Sequence, residues 1–208
     1  MTINKKEVLR YMGHRKGDAD GRLMALIDSI CLELERSARP AYVWRDFPIS
    51  VNDNTVTISG IKIKSRRLAA HLSDCSSAAV LAATLGAASD SVIRKSFALG
   101  TVNGTAAQAA GAAMIEAVCD KACSEIAEST HLHTKPRFSP GYGDFTLEHQ
   151  KDMISLCDAT RRAGITLTDS LMMIPTKSVT AIVGLTADKM CADGGCANCE
   201  KKDCEFRV

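Results

Sequence analysis

The sequence predicts an α+β fold. Its β-like segments follow one another as hairpin-type strands, and they do not alternate regularly with helices. Its helical segments carry apolar residues on one face at helical spacing. The 208 residues, 46% hydrophobic and 24% charged, fit one globular domain over residues 1–188 and a small, polar, cysteine-dense tail over residues 189–208.

The first 72 residues predict two helices, a set of antiparallel strands and a third helix. A short helix is expected over residues 5–12, and a longer amphipathic helix over residues 21–39, which Pro40 ends. Apolar and polar residues alternate over residues 41–65, with turn residues at positions 52–54. Ser65 is expected to cap a helix that reaches Leu72.

The middle of the chain predicts a buried element followed by two helices. The apolar run at residues 78–86 fits a buried strand, although a buried helix has the same pattern. Asp90 is expected to cap the next helix. Residues 105–128 are rich in alanine and predict a long helix, on which Glu116 and Asp120 are four residues apart. As like charges, these two carboxylates gain nothing from each other.

The C-terminal third predicts one helix and two β-rich segments. The helix is expected over residues 147–163 and is closed by Gly164. The β-rich segments cover residues 165–175 and 178–185 and are joined near Pro175.

The stretch RFSPGYGDF, residues 137–145, is unusual for a surface turn. Arg137 offers a fixed cation with a planar fork of donors that suits a carboxylate or a phosphate. Gly141 and Gly143 permit positive φ and close approach of another molecule, and Tyr142 can stack or donate a hydrogen bond. These residues predict a pocket for a small molecule with a carboxylate and an aromatic ring. The alternative is a tight connection in which the arginine and tyrosine are incidental.

Arg137-x-x-x-Gly141-Tyr142 resembles the R-x-x-x-G-Y motif in the activation domain of cobalamin-dependent methionine synthase. Glu148-His149 follows at nearly the family spacing, and residues 164–181, GITLTDSLMMIPTKSVTA, resemble a further family segment. Glu116 and Asp120 are similar to a pair of glutamates on the family's long helix. The resemblance covers roughly residues 105–185.

The resemblance implies a twisted, mainly antiparallel sheet packed with helices, and a site for S-adenosylmethionine (AdoMet). It implies that Arg137 binds the AdoMet carboxylate and that Glu116 lies near the sulfonium. The backbone of Ser139, Pro140 and Gly141 would hold the adenine. Tyr142 would lie at the methyl-transfer face, as the catalytic residue.

The implied partner is a set of cobalamin-dependent methionine synthase modules that lack an activation domain. Cobalamin carried by that partner would be remethylated after oxidation to the cob(II) form, with one electron from a donor such as a flavodoxin or a ferredoxin. The chain has no cobalamin-binding D-x-H-x-x-G motif, so it is expected to act in trans. A tyrosine that lines the family pocket has no counterpart, and its place falls near Cys191.

The tail contains Cys191, Cys196, Cys199 and Cys204, in the pattern C-x4-C-x2-C-x4-C. Four thiols at this spacing, with glycines that let the chain fold back, can enclose one metal ion. The first three also have the spacing of plant-type iron–sulfur proteins. The sequence therefore predicts zinc or an iron–sulfur cluster here, and the alternative is a tail of free thiols.

Charge and hydropathy argue against two classes of partner. The formal net charge of +2 gives no electrostatic reason to bind nucleic acid or a membrane surface. The N-terminus lacks the apolar region of a signal peptide, which predicts a cytoplasmic protein.

Three functions follow from the sequence. The first is a stand-alone activation module that binds AdoMet for reductive remethylation of cob(II)alamin. The second is a metal- or iron–sulfur-bearing activator of a corrinoid protein that does not use AdoMet. The third is an adapter that senses AdoMet without chemistry.

Overall fold

The computed structural model describes residues 2–14 and 20–187, which form helices and strands in mixed order. The helices are α1 Lys5–Tyr11, α2 Gly21–Ser37, α3 Arg66–His71, α4 Ala87–Leu99, α5 Thr101–Thr130, α6 Gln150–Cys157 and α7 Ala159–Ala163. The strands are β1 Ala41–Asn52, β2 Thr55–Ile58, β3 Ile61–Lys64, β4 Ser77–Thr84, β5 His133–Thr134, β6 Thr166–Leu167, β7 Met173–Ile174 and β8 Ser178–Thr186.

Six of these strands form one sheet in the order β3-β2-β1-β4-β8-β5. Every neighbouring pair in it is antiparallel, which confirms the predicted α+β class with a mainly antiparallel sheet. The apolar run at residues 78–86 overlaps the central strand β4, so the strand prediction was the correct one of the two alternatives. β4 is almost wholly apolar because both of its faces are covered.

Alternate residues of β4 point into two different cores, as the period of a strand requires. Ala79, Leu81 and Ala83 pack with helices α1, α2, α4 and α5 on one face of the sheet. Ala78, Val80 and Ala82 pack on the other face, with α3, α6 and α7. The small residues of α5 line the first core over much of its length, which allows this long helix to lie close to the sheet.

Several helix boundaries differ from the sequence predictions. Helix α4 begins at Ala87 after Gly86, so the predicted cap at Asp90 was wrong. Asp90 instead accepts hydrogen bonds from the backbone N–H of Thr176 (3.0 Å) and from its hydroxyl (2.6 Å). Helix α5 is longer than predicted at both ends.

The predicted helix over residues 147–163 is divided into three pieces. A 3-10 turn at Leu147–His149 precedes α6, and Asp158 adopts a left-handed conformation (φ 51°) between α6 and α7. Gly164 ends α7 with φ 67°, as predicted. Of the β-rich segments, the first forms only the separate two-stranded sheet of β6 and β7.

No helix within residues 2–14 and 20–187 has the length and hydropathy needed to cross a membrane.

Gly184 in β8 lets α3 and the turn that follows it approach the sheet. A Cβ at this position would lie 2.7 Å from Leu72 Cδ2 and 2.9 Å from Cys75 Sγ. The carbonyl of Gly184 also accepts a hydrogen bond from the N–H of Lys135 at 2.8 Å, which holds the segment after β5 against the sheet edge.

We predict that Gly184→Ala lowers the free energy of unfolding by about 1–3 kcal/mol, because the added methyl group overfills this contact. Urea denaturation measures the change. Gly21→Ala is the matched control, since a Cβ there meets no atom within 4 Å. The control should stay within about 0.5 kcal/mol of the parent protein. Equal stability of both variants would show that α3 does not require this glycine.

Candidate ligand-binding site

The segment that follows α5 runs along the outer edge of β8. His133 and Thr134 pair with Thr186 and Leu185 at the start of this segment. Phe138 then exchanges two backbone hydrogen bonds with Ile182, at 2.9 and 2.8 Å. These contacts fix residues 133–138 between the sheet and α5, and they place Arg137 beside the helix.

The loop after Phe138 needs its glycines for its own conformation. Gly141 and Gly143 have φ values of 89° and 61°, so the predicted positive φ is confirmed at both. The N–H of Gly141 donates to the carbonyl of Phe145 at 2.7 Å, which closes the loop. A Cβ at Gly143 would lie 2.6 Å from Arg67 Cδ. The second glycine therefore also makes room for α3.

Asp144 joins the same loop to the N-terminus of α3. Its carboxylate accepts hydrogen bonds from the Ser65 hydroxyl (2.6 Å) and from the backbone N–H groups of Arg66 (2.8 Å) and Arg67 (3.2 Å). The Ser65 hydroxyl in turn accepts from the N–H of Leu68, so the predicted Ser65 cap is confirmed. The hydrogen bond from Ser65, with those from the two backbone N–H groups, lowers the pKa of Asp144.

Arg137 lies between two carboxylates of α5. Its Nη2 donates to Glu116 Oε2 at 2.5 Å, and its Nη1 donates to Asp120 Oδ1 at 2.6 Å. Its side chain is 21% exposed, whereas those of Glu116 and Asp120 are 43% and 70% exposed. The two like-charged side chains, Glu116 and Asp120, are thus bridged by the guanidinium of Arg137.

An open groove of about 610 Å³ lies over this cluster. It is lined by residues of α5, of the β8 edge and of the connecting segment: Glu116, Asp120, Cys123, Thr134, Lys135, Pro136, Arg137, Ser139, Tyr142 and Val179. Four of the predicted site residues, Glu116, Arg137, Ser139 and Tyr142, therefore meet in one place. Pro140 and Gly141 are not among the lining residues that the structure describes. The volume falls within the range of about 300–1,000 Å³ that small-molecule sites usually have.

Tyr142 stands at the rim of the groove and is 61% exposed. Its ring meets that of Phe138 edge to face, with centroids 5.7 Å apart. Phe138 in turn contacts the ring of His71 at 5.3 Å, and His71 Nε2 lies 2.9 Å from the carbonyl oxygen of Pro136. These contacts support Tyr142 from below and leave its outer face open.

Lys135 is a second cation at the groove, but it is already paired. It forms an ion pair with Asp74, and its ammonium donates to the carbonyl of His71 at 2.8 Å. Only 9% of its side chain is exposed. Lys135 therefore anchors the connecting segment to the end of α3 and offers little charge to a ligand.

Two thiols lie beside Arg137, and neither is poised to react as a thiolate. Burial raises the pKa of Cys119 to about 12, although Arg137 opposes the shift. Burial also raises the pKa of Cys123, whose sulfur lies 3.7 Å from Arg137 Nη1. Because a thiolate is the reactive form, covalent chemistry at these cysteines is disfavoured at neutral pH.

The predicted metal ligands Cys191, Cys196, Cys199 and Cys204 lie outside the described residues. Within the described part of the chain, no group of three or more histidine, cysteine, aspartate or glutamate side chains could hold a metal ion. Zinc or an iron–sulfur cluster in the tail stays a prediction.

Two comparisons with known proteins agree with this architecture. The family model for the vitamin B12-dependent methionine synthase activation domain matches residues 125–191. A crystal structure of the MetH reactivation domain bound to AdoHcy has the same fold, with a TM-score of 0.64 and 14% sequence identity. That alignment covers 90% of this chain and 78% of the other. The resemblance to the methionine synthase activation domain is confirmed. No curated protein sequence matches this chain significantly.

The activation-domain family model includes Arg137 and the loop after it, but it begins beyond Glu116. The assignment of Glu116 to the site is thus supported by its position in the groove and not by the family match. The sequence did not predict that Asp120, Cys123, Lys135 and Val179 also line the groove. The four-residue spacing of two acids, followed by an arginine in the next loop, was the available signal for Asp120.

We predict that Asp144→Asn destabilises the protein by about 1 kcal/mol at neutral pH, the usual size of a capping contribution. The native pKa of Asp144 is lowered, so its stabilising effect is complete above the unfolded pKa of about 3.9 and is lost as pH falls through the native pKa. Denaturation of both proteins from pH 7 to pH 3 measures this difference. A gap between them that stays constant or widens in acid would contradict the role of the carboxylate.

Proposed function

We propose that the groove beside Arg137 binds AdoMet, and that this chain acts as a stand-alone activation module for a cobalamin-dependent methionine synthase. The observation that carries the proposal is the convergence of Glu116, Arg137, Ser139 and Tyr142 on one groove. Sequence resemblance had implied these four residues separately. The AdoHcy in the solved MetH domain of the same fold supports a ligand of this chemistry.

The charges in the groove suit a sulfonium compound. AdoMet carries a permanent positive charge at sulfur, and Glu116 provides a half-exposed carboxylate on the groove wall. Arg137 is the group that would receive the carboxylate of the ligand, through its planar fork of donors. The backbone of Ser139, Pro140 and Gly141 would contact the adenine, although only Ser139 of these lines the groove.

The openness of the site at Tyr142 fits methyl transfer to a second protein. An acceptor on the partner would reach the ligand from the open side of the groove. Bound cobalamin on the partner would supply the methyl acceptor, and one electron from a flavodoxin or ferredoxin would balance the transfer from AdoMet to cob(II)alamin. Tyr142, exposed at the rim, would border the methyl group and limit its approach to one direction.

The direct test uses a methionine synthase fragment that lacks its activation domain and is held as cob(II)alamin. This protein, AdoMet and a one-electron donor are added without oxygen. We expect methylcobalamin to appear, with the methyl label of AdoMet transferred to it. If AdoMet binds but its methyl group is not transferred to the fragment, the activation role is contradicted. The role of an adapter that senses AdoMet would then remain.

We predict that Arg137→Ala weakens AdoMet binding by about 1.5–3 kcal/mol, the range for losing a hydrogen bond to a charged group. Isothermal titration of the folded variant measures the change. Arg94→Ala is the control, because Arg94 lies on α4 and its side chain donates to Ser91 on the same helix. Unchanged affinity in Arg137→Ala would remove Arg137 from the site.

We predict that Glu116→Gln weakens binding of AdoMet more than binding of S-adenosylhomocysteine. The two ligands differ in the methyl group and in the positive charge at sulfur, and glutamine keeps the size of the side chain without its charge. Parallel titrations of both ligands give the comparison. An equal loss for the two ligands would show that Glu116 does not sense the sulfonium.

A further inference from the structure

We propose that Asp120 competes with the carboxylate of the ligand for Arg137, and so lowers the affinity of the groove for AdoMet. This inference rests on the proposed function, because it concerns the same groove and the same ligand. It assigns a role to Asp120, which the sequence analysis treated only as the like-charged neighbour of Glu116.

The hydrogen bonds of Arg137 carry the first part of the argument. A carboxylate binds a guanidinium through two nitrogens at once, in a fork that is either end-on or side-on. Nη1 already donates to Asp120 and lies within 3.7 Å of Cys123 Sγ, while Nη2 already donates to Glu116. The end-on fork includes Nη1, which already donates to Asp120 and to Cys123. The side-on fork lacks Nη1, so Asp120 competes with the ligand for the end-on fork.

The charge balance carries the second part. Glu116 and Asp120 contribute two negative charges and Arg137 contributes one positive charge, so the three side chains together carry a net charge of −1. Lys135, the other lining cation, is held by Asp74. An incoming carboxylate therefore meets a cluster that does not attract it. For the ligand to use the end-on fork, the acid that holds Nη1 must give up its hydrogen bond.

Asp120 is the acid that can leave. Its side chain is 70% exposed, against 43% for Glu116, so water replaces its contact with Arg137 more readily. The Asp120 end of this pair is exposed, so breaking it costs less than breaking a pair in which both partners are buried. Glu116 keeps its contact with Arg137 and remains on the groove wall, where the proposed sulfonium contact needs it.

This competition should depend on the carboxylate of the ligand. AdoMet needs the Arg137 donors, whereas decarboxylated AdoMet keeps the sulfonium, the amine and the adenosine but has no group for them. Asp120 should thus lower the affinity for AdoMet and leave the affinity for decarboxylated AdoMet unchanged. The ratio of the two affinities in each protein therefore measures the competition. An effect of the substitution on folding changes both affinities alike and cancels in the ratio.

The experiment titrates AdoMet and decarboxylated AdoMet into the parent protein and into Asp120→Asn. We expect AdoMet to bind the variant about two- to fivefold more tightly, which corresponds to release of one exposed ion pair. Decarboxylated AdoMet should bind the variant equally or more weakly. In an Arg137→Ala background, the gain in affinity from Asp120→Asn should disappear, because the guanidinium for which Asp120 and the ligand carboxylate compete is absent.

Glu128→Gln is the matched control. Glu128 is exposed on the same helix, two turns beyond Asp120, and its replacement changes the net charge by the same amount. Its AdoMet affinity should equal that of the parent protein. A similar gain in both variants would indicate a general effect of charge and would overturn the proposal.

The outcomes separate this inference from the proposed function. If the parent protein binds AdoMet and Asp120→Asn binds it equally or more weakly, the competition is refuted while the site stands. Weaker binding would mean that Asp120 contacts the ammonium or sulfonium itself. If neither protein binds AdoMet, both the function and the inference fail. Binding that appears only in Asp120→Asn would support the competition.

Discussion

The contact on which the site depends is the one between Arg137 and the two acids of α5. It joins the longest helix to the segment that runs along the edge of β8, through side chains of both elements. The cation is 21% exposed, and both of its partners line the groove. The same side chains that hold the segment in place present the charges that a ligand would meet.

The groove is built from two elements that are fixed by different forces. Apolar packing of small side chains holds α5 against the sheet. Polar contacts hold the segment opposite: the hydrogen bonds of Phe138 to Ile182, the ion pair of Lys135 with Asp74, and the cap that Asp144 places on α3. The loop between Ser139 and Phe145 is thereby tied at both ends, which leaves Tyr142 supported but exposed.

The architecture could be predicted from the sequence because its signals are local. The alternation in β1 to β3 and the alanine-rich pattern of α5 each specify their element without reference to the others. The apolar run of β4 predicted burial and left strand and helix as alternatives. One error fell where a distant contact decides, and another where a single residue adopts a left-handed conformation. Asp90 binds Thr176 instead of capping a helix, and Asp158 divides a helical stretch through a left-handed residue that no periodicity reveals.

The site was predictable in part, for a similar reason. The motif at residues 137–142 identified Arg137 and Tyr142, but not the state of the arginine, which depends on a helix that ends seven residues earlier. The glycines were expected to admit a ligand, whereas the structure shows that Gly143 also admits Arg67 of α3. A sequence shows which donors exist, and the fold decides which of them are already used.

The most direct test of the account is where the S-methyl group of AdoMet lies on this protein. Nuclear Overhauser contacts from AdoMet labelled with ¹³C at that methyl group would report the protons nearest to it. The account predicts contacts with the ring of Tyr142 and with the side chain of Glu116. Contacts with protons on another face of the protein, and none with these two residues, would contradict it.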